Sequence, residues 1–360
     1  MKRHFQILVT VFIALFALNA CTTSQQFEPQ TTEKPKSIIL LIADGTGLSQ
    51  ISSLRYTSDD FQFSRFQSIG LVTTHPLEKY ITDSAASATA FATGEKTRNG
   101  MISTLPDGST PKTILEMAEE MGKSTGLVAT SQLTHATPAA FAAHTESRGM
   151  QMEIARQMAA MDIEVLLGGG QKFFLTNDNA GNLVEGMKSK GYSYIDSRSA
   201  LSSLNTRNTE KVIGLFSESG MEPAQENRLP LELMTQKATE ILAKQDAGFF
   251  LMVEASQVDW EGHDNDGDGI IAEMHDMNNA LKYMLDFQEK NPDVLVAWVA
   301  DHETGGMAVG ENENGLDPLF ATGGHTATMV TAFAKGPGED HFRGTYDNTE
   351  FGKKLISLLK

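Results

Sequence analysis

The strongest constraint on this chain lies in residues 37–43, Ser-Ile-Ile-Leu-Leu-Ile-Ala, a continuous apolar run that stops at Asp44-Gly45-Thr46-Gly47. A strand with one wet face alternates apolar and polar residues, so a run this uniform fits a strand covered on both faces. Short runs of the same character recur at Thr125–Ala129, Glu164–Leu167, Phe249–Val253, Leu295–Ala300 and Met329–Ala334. Between them lie segments with helical periodicity, Ser84–Thr93, Pro111–Met121, Gln151–Met161, Leu231–Ala243 and Ile271–Glu289. This alternation predicts an α/β chain with a single doubly wound, mostly parallel sheet and helices on both faces. Residues 171–228 are weakly patterned and predict a less regular excursion from the sheet. Thr137-Pro138 reads as a helix start, with Thr137 as the cap and Pro138 as the first helical residue.

Ahead of the first strand the pattern changes. Lys2 and Arg3 precede an apolar run from about Phe5 to Leu18 and then small residues, the layout of an export signal and too short for a comfortable bilayer span. Leu18-Asn19-Ala20-Cys21 resembles the lipobox of bacterial lipoproteins, in which cleavage precedes the cysteine and its thiol takes a lipid. Cys21 is the only cysteine, so no disulfide forms within the chain. Cleavage by an ordinary secretory peptidase, with Cys21 incidental, is the alternative. The expected organisation is a signal peptide over 1–20, a lipidated N-terminus and flexible linker over 21–36, and one folded domain over 37–360. The protein is then exported, to the periplasm or, lipid-anchored, to the outer membrane, and touches a membrane only through the lipid on Cys21.

The chain carries 46 acidic against 29 basic residues, a formal charge of −17, without a run of Lys or Arg. That excludes specific binding along a nucleic-acid backbone as a reading. The surplus acid is either a solvated surface or carboxylates gathered around cations, and position along the chain must decide.

Ligands of open α/β sheets sit beyond the carboxyl ends of the strands. Asp44 follows the first apolar run, Glu254 and Asp259 the fourth, Asp301 and His302 the fifth, and His325 precedes the last. All are donors for hard or borderline cations. Asp259 and His263, four apart, share one face of a helical turn, a spacing that exposed polar turns also produce. Asp301-His302 reads as paired ligands at a strand end or as a plain strand cap. Asp83-Ser84-Ala85-Ala86-Ser87-Ala88-Thr89-Ala90 sets a serine between a carboxylate and a helix of small residues. Close helix packing accounts for the Ala and Ser content. The functional reading turns Ser84 toward an oxyanion at the helix N-terminus, where a base or metal must take the hydroxyl proton. Asp264-Asn265-Asp266-Gly267-Asp268-Gly269 has the front of a calcium loop, but its twelfth position is His275, so a solvated acidic turn is expected.

Taken in order, these pieces resemble the alkaline phosphatases along nearly the whole chain after the linker. The resemblance rests on Ile39-Leu40-Leu41-Ile42-Ala43-Asp44-Gly45, on Thr82-Asp83-Ser84 through Ala90, and on Thr93-Gly94-Glu95-Lys96-Thr97-Arg98-Asn99-Gly100. It continues through His135-Ala136-Thr137-Pro138-Ala139, His144, Ser147-Arg148, Val253-Glu254 to Asp259 and His263, Ala300-Asp301-His302-Glu303 and Gly324-His325-Thr326. It implies that 37–360 is a catalytic domain hydrolysing phosphate monoesters of broad range, through a phosphoserine on Ser84 with two zinc ions and one magnesium ion. By the same resemblance Asp259, His263 and His325 hold the first zinc, and Asp44, Asp301, His302 and Ser84 surround the second. Asp44, Thr137 and Glu254 hold magnesium, Asp44 bridging the two sites. Arg148 clamps the phosphate and Asp83 orients Arg148.

Where the enteric pattern has aspartate and lysine, this chain has His135 and Trp260. That sets His135 near the magnesium site through water and puts Trp260, without a charge, beside the phosphate. The short interval between His302 and His325 leaves no room for a large crown insertion, and the family's usual state implies a homodimer. A phosphodiesterase, sulfatase or phosphomutase on the same metal core is the nearest rival. Sulfatases, however, place a proline and an arginine after the modified residue, and Ser84-Ala85-Ala86 has neither. A non-enzymatic lipoprotein capturing phosphate or metals shares the signal and the acidity but has no use for a serine among cation ligands.

Overall fold

Burial without interruption places Ser37–Ala43 (β1) in the middle of a sheet, between two strands that are equally covered. The computed structural model describes residues 34–176, 181–313 and 315–360. The expected signal peptide, Cys21 with its lipid, and the linker up to residue 33 lie outside the described residues. In chain order the further strands are β2 (Ser68–Thr73), β3 (Ser124–Gln132), β4 (Val165–Gly169), β5 (Tyr192–Ile195), β6 (Lys211–Leu215), β7 (Phe249–Ala255) and β8 (Val294–Val299). Then follow β9 (Glu303–Thr304), β10 (Ala308–Asn312), β11 (Gly315–Leu319), β12 (His325–Thr326), β13 (Val330–Lys335) and β14 (Gly344–Asp347).

Ten of these form one sheet in the order β14-β2-β13-β8-β1-β7-β3-β4-β6-β5. In β1, Ile39 lies opposite Leu251 on one side and Val296 on the other. Ile38 through Ile42 have no exposed surface, and burying each such side chain contributes about 1.5–3 kcal/mol relative to leaving it in water. Helices cover both faces, as the alternation requires.

Only β13 runs against its neighbours, antiparallel to both β2 and β8, with Ala332 opposite Val299. Its start therefore lies at the edge where the parallel strands end. That reversal brings His325, which precedes β13, to the same edge as residues that follow the other strands.

The expected excursion over 171–228 is a correction: this stretch supplies β5 and β6, which extend the sheet in parallel beyond β4. Both are short, β5 is half exposed at the sheet margin, and Gly214 interrupts the apolar signal of β6. A second correction concerns Thr137. The helix Ala136–Ala142 begins two residues earlier with His135 at the cap position, so Thr137 and Pro138 sit in its first turn. Proline is tolerated there because first-turn N–H groups have no intrahelical acceptor.

The helix Ser84–Thr93 matches its sequence reading at both ends. The Asp83 carboxylate caps it by accepting from Ala86 N at 3.0 Å, and all ten of its residues are buried. The long helix Gly267–Lys290 starts four residues before the expected point because Asp266 caps it, accepting from Gly269 N at 3.0 Å. Asp266, in the calcium-like stretch, is thus used by the fold. The β10–β11 ribbon occupies the interval between His302 and His325. Among the described residues no helix is long and apolar enough to cross a membrane.

Candidate active site

The end of β1 sets the floor of the site. Gly45 has φ +73°, and a Cβ on it would stand 2.5 Å from Asp259 Cα, so only glycine lets this loop lie against the helix Gln257–Asp264. Asp44, just before it, is fully buried, and neither carboxylate oxygen has a hydrogen-bond partner. Asp301, after β8, accepts from Gly45 N at 3.2 Å and His302 N at 2.9 Å through Oδ1, while its Oδ2 has no partner.

Between these carboxylates stands His302. Its Nε2 lies 3.3 Å from Asp44 Oδ1, 3.3 Å from Asp301 Oδ2 and 3.3 Å from Ser84 Oγ. Thr304 fixes the tautomer. Its hydroxyl donates to Asp259 Oδ1 and is left to accept from His302 Nδ1–H at 3.2 Å. Burial, and next the charge of His325, hold the His302 imidazole well below its usual pKa, so the ring is neutral and Nε2 carries a lone pair. A proton-free nitrogen facing two carboxylates and a serine oxygen is a donor set for a cation.

A second set forms on the helix Gln257–Asp264. Asp259 Oδ1 lies 3.5 Å from His263 Nε2 and 3.4 Å from His325 Nε2, and those two nitrogens are 3.1 Å apart. Their other nitrogens donate to backbone carbonyls, His263 Nδ1 to Gly323 O at 2.8 Å and His325 Nδ1 to Thr82 O at 2.9 Å. Both Nε2 atoms therefore aim at the same point beside Asp259. The rings of His302 and His325 stack at 3.6 Å, joining this set to the first.

The third set gathers Asp44, His135 and Glu254. Glu254 is fully buried and accepts from Ser131 Oγ at 3.0 Å through Oε2. Its Oε1, 3.9 Å from His135 Nδ1, has no hydrogen-bond partner, nor has the buried Thr137 hydroxyl. Within the groups Asp44–Asp301–His302, Asp44–His135–Glu254 and Asp259–His302–His325, the last of which links the first two sets, the donor atoms lie within 4.8 Å of one another.

Electrostatics give the same answer. Burial first, and then the neighbouring Asp301, Asp259 and Glu254, push the Asp44 carboxyl well above its usual range. Burial and Asp259 push Asp301 up to about 7. Buried carboxylates that repel one another and keep unpaired oxygens call for positive charge, and divalent cations supply it.

Arg148 stands at the entrance. It donates from Nη1 to Asp83 Oδ2 at 3.2 Å and from Nη2 to His135 Nε2 at 2.9 Å. Trp260 meets His135 edge-on, with ring centroids 6.0 Å apart. Every candidate residue named from the sequence thus comes to one edge of the sheet. Sequence reasoning missed Thr304, Ser131 and the Arg148–His135 contact, together with the carbonyls of Thr82 and Gly323. Thr304, two residues after His302, left a trace in the sequence. The carbonyls, which every residue carries, left none.

A buried serine among carboxylates short of positive charge, at the carboxyl edge of an α/β sheet, fits the class of metal-binding hydrolases. Comparison with known proteins narrows it. The family model for alkaline phosphatase matches residues 35–322, and the chain belongs to the alkaline phosphatase family, whose reaction is the hydrolysis of phosphate monoesters. Alkaline phosphatase 3 of Bacillus subtilis (strain 168) is 34% identical over 94% of this chain and 92% of its own. The Escherichia coli (strain K12) alkaline phosphatase is 30% identical over 91% of this chain and 87% of its own. The solved alkaline phosphatase of the Antarctic bacterium TAB5 superposes with a TM-score of 0.85 at 36% identity, covering 91% of this chain and 99% of that one. A histidine-to-glutamate mutant of that enzyme, solved with Mg bound in its M3 site, superposes at 0.84 with 36% identity, covering 91% of this chain and 98% of that one.

Proposed function

We propose that Ser84 carries the phosphoryl group from a phosphate monoester to water, in a site holding two zinc ions and one magnesium ion. The observation that carries this reading is Ser84 Oγ, 3.3 Å from Nε2 of His302 at the point where that nitrogen meets Asp44 and Asp301. In this reading Asp259, His263 and His325 hold one zinc, and Asp44, Asp301 and His302, beside Ser84, hold the other. Asp44, Thr137 and Glu254 hold magnesium with His135 nearby, and the bound Mg of the TAB5 mutant supports a magnesium site in this fold. When bound, the cations supply the positive charge that makes a serine hydroxyl acidic and neutralises the phosphate.

The chain's own groups do the rest. Arg148 donates two parallel hydrogen bonds to non-bridging phosphate oxygens, its plane set by Asp83. Ser84 Oγ bonds to phosphorus as the bond to the alcohol oxygen breaks, and the alcohol leaves with a proton. Water then attacks phosphorus, the bond to Ser84 Oγ breaks, and the serine regains its proton as inorganic phosphate departs. Trp260, beside His135, offers apolar surface and no charge to the product. Hydrolysis of p-nitrophenyl phosphate with and without chelator, elemental analysis, and trapping of the phosphoenzyme test the reading. Ser84→Ala removes the phosphoenzyme and lowers turnover by at least about a thousandfold. Turnover at the wild-type rate overturns it.

The same reading makes residues 1–20 an export signal and Cys21 the bearer of a lipid, holding the enzyme in the periplasm or on the outer membrane for phosphate scavenging. Cys21→Ser then moves the enzyme from the membrane fraction to the soluble one, and an unchanged distribution removes the lipid from the account. A homodimer belongs to this reading through the family, and the solution mass checks it.

A further inference from the structure

The turn Arg98–Gly100 supplies no donor to the three ligand sets, yet it grips both the nucleophile segment and the phosphate clamp. We propose that Asn99, seconded by Gly100, is a positioning residue that holds Ser84 in register with Arg148. The proposal rests on the roles given above to Ser84 and Arg148.

The Asn99 side chain bridges two main-chain groups. Its Oδ1 accepts from Asp83 N at 3.2 Å and its Nδ2 donates to Ile81 O at 3.1 Å. The orientation of the amide is fixed, because a peptide N–H only donates and a peptide carbonyl only accepts. These two contacts bracket Thr82, whose carbonyl receives His325 Nδ1 at 2.9 Å. One side chain thus pins the three residues before Ser84, while Thr82 keeps its own contact to His325.

Gly100 continues the grip. Its N–H donates to Asp83 Oδ2 at 2.9 Å, the oxygen that also receives Arg148 Nη1 at 3.2 Å. Its carbonyl accepts from Arg148 N at 2.6 Å. With φ at +87°, this position suits glycine. Two residues on, Ile102 and Thr145 exchange a pair of hydrogen bonds at 2.9 Å each. The chain from Gly100 to Ile102 therefore lies along Thr145–Arg148 as a short antiparallel pair. Arg148 follows the helix Ala136–Ala142 on irregular chain, so this pairing sets where its main chain lies.

Why one amide matters follows from the reaction's geometry. Ser84 Oγ must lie in line with a phosphorus that Arg148 holds, and a displacement of about 1 Å costs on the order of a hundredfold in rate. Without the Asn99 bridge, residues 81–83 keep the contacts of Asp83 to Ala86, Gly100 and Arg148 and that of Thr82 to His325, but lose the ties on the Asp83 N–H and the Ile81 carbonyl. Aspartate cannot replace Asn99, because it lacks the donor for Ile81 O.

The test is a double-mutant cycle on the metal-loaded enzyme. Asn99→Ala is made alone and in Arg148→Ala, with kcat and KM for p-nitrophenyl phosphate, Ki for inorganic phosphate, zinc and magnesium content and Tm measured throughout. In otherwise wild-type enzyme, Asn99→Ala raises the phosphate Ki about tenfold and lowers kcat/KM about ten- to a hundredfold, with metal content unchanged. In the Arg148→Ala enzyme the same change moves the phosphate Ki less than about twofold, because the partner it positions is gone. Equal fold-changes in both backgrounds overturn the proposal, as does loss of metal with an unchanged Ki. An unchanged Ki on Arg148→Ala alone overturns the clamp itself and the proposal with it. Asn99→Ser, which also cannot span Ile81 and Asp83, gives the same comparison if the alanine variant fails to fold.

Discussion

Among the described residues, two clusters of buried charged side chains satisfy their carboxylates differently. In one, Arg228 donates two parallel hydrogen bonds to Glu273, at 3.0 and 2.7 Å, and a third to Asp276 at 2.7 Å. Ala224 N also donates to Glu273 at 2.7 Å, so each carboxylate meets a cation or an N–H, and Arg228 Nε alone of the guanidinium nitrogens has no partner. In the other, at the carboxyl edge of the sheet, Asp44, Glu254, Asp259 and Asp301 are buried together. Both oxygens of Asp44, Oε1 of Glu254 and Oδ2 of Asp301 have no hydrogen-bond partner. The first cluster brings its own cation and fastens the segment before the helix Leu231–Leu242 to the long helix Gly267–Lys290. Carboxylates outnumber cations in both, two to one in the first, but the second leaves carboxylate oxygens with no partner, which as a structural device would only cost stability. Buried charge points to function here where the chain leaves its oxygens unpartnered.

Asp44→Asn presses hardest on that contrast, because Asp44 belongs to two ligand sets. Turnover of p-nitrophenyl phosphate should fall by at least about a thousandfold. Stability should move the other way. Burial and the neighbouring acids raise the Asp44 carboxyl well above its ordinary range, so at neutral pH its ionised form works against the fold. In chelator the variant should therefore melt above wild type, and added zinc and magnesium should raise it less. Calorimetry in both conditions decides, and a variant that melts lower than wild type in chelator removes the difference between the clusters.

Arg228→Ala probes the cluster with partnered carboxylates and should cost about 3–5 kcal/mol, because it leaves Glu273 buried without its cation. Urea denaturation measures it, and Glu273→Gln added to that variant should recover part of the loss. At temperatures where the variant stays folded, kcat should be unchanged. A cost below about 1 kcal/mol would mean that this cluster is not structural either.

The same contrast explains what could be read in advance. Asp44, Asp301, His302 and His325 stood out because polar residues at the end of an apolar run have no reason to be there unless the fold or a ligand uses them. Strands β1, β3, β4, β7, β8 and β13 were legible for a related reason: covered on both faces, they leave uninterrupted apolar runs. Toward the margins, β2 and β5 alternate or are half exposed, β14 is a short exposed strand, and each carries too few apolar residues to stand out. The Arg228 cluster was invisible, because Arg228 lies 45 and 48 residues from Glu273 and Asp276, in stretches that read as ordinary polar surface. That β13 runs antiparallel is likewise a long-range fact, and without it His325 would have pointed at the wrong edge.

His144 and Glu116 lie between the two extremes, a half-buried pair beside the site, and should show the smallest effect. His144 Nε2 lies 3.1 Å from Glu116 Oε1, and Nδ1 lies 2.6 Å from Ser103 O. Both partners accept, so the ring donates from both nitrogens and is held as the imidazolium. Burial alone would lower its pKa, but Glu116 and the Ser103 carbonyl outweigh it and raise the value above 6.5. Burial likewise opposes ionised Glu116, but His144 and Thr113 N prevail and hold its value below 4.5. The carboxylate's contribution is present above pH 4.5 and is lost as pH falls through its lowered value. The imidazolium's contribution is present below pH 6.5 and is lost as pH rises through its raised value. The pair therefore stabilises most between those limits, by about 1 kcal/mol or less because both side chains are partly wet. Urea melts in chelator from about pH 6 to 8 should show wild type losing this increment while His144→Gln does not. Parallel curves would mean that a charge matched by one half-exposed partner already behaves like free surface, and that full burial is what separates the two clusters from the rest of the molecule.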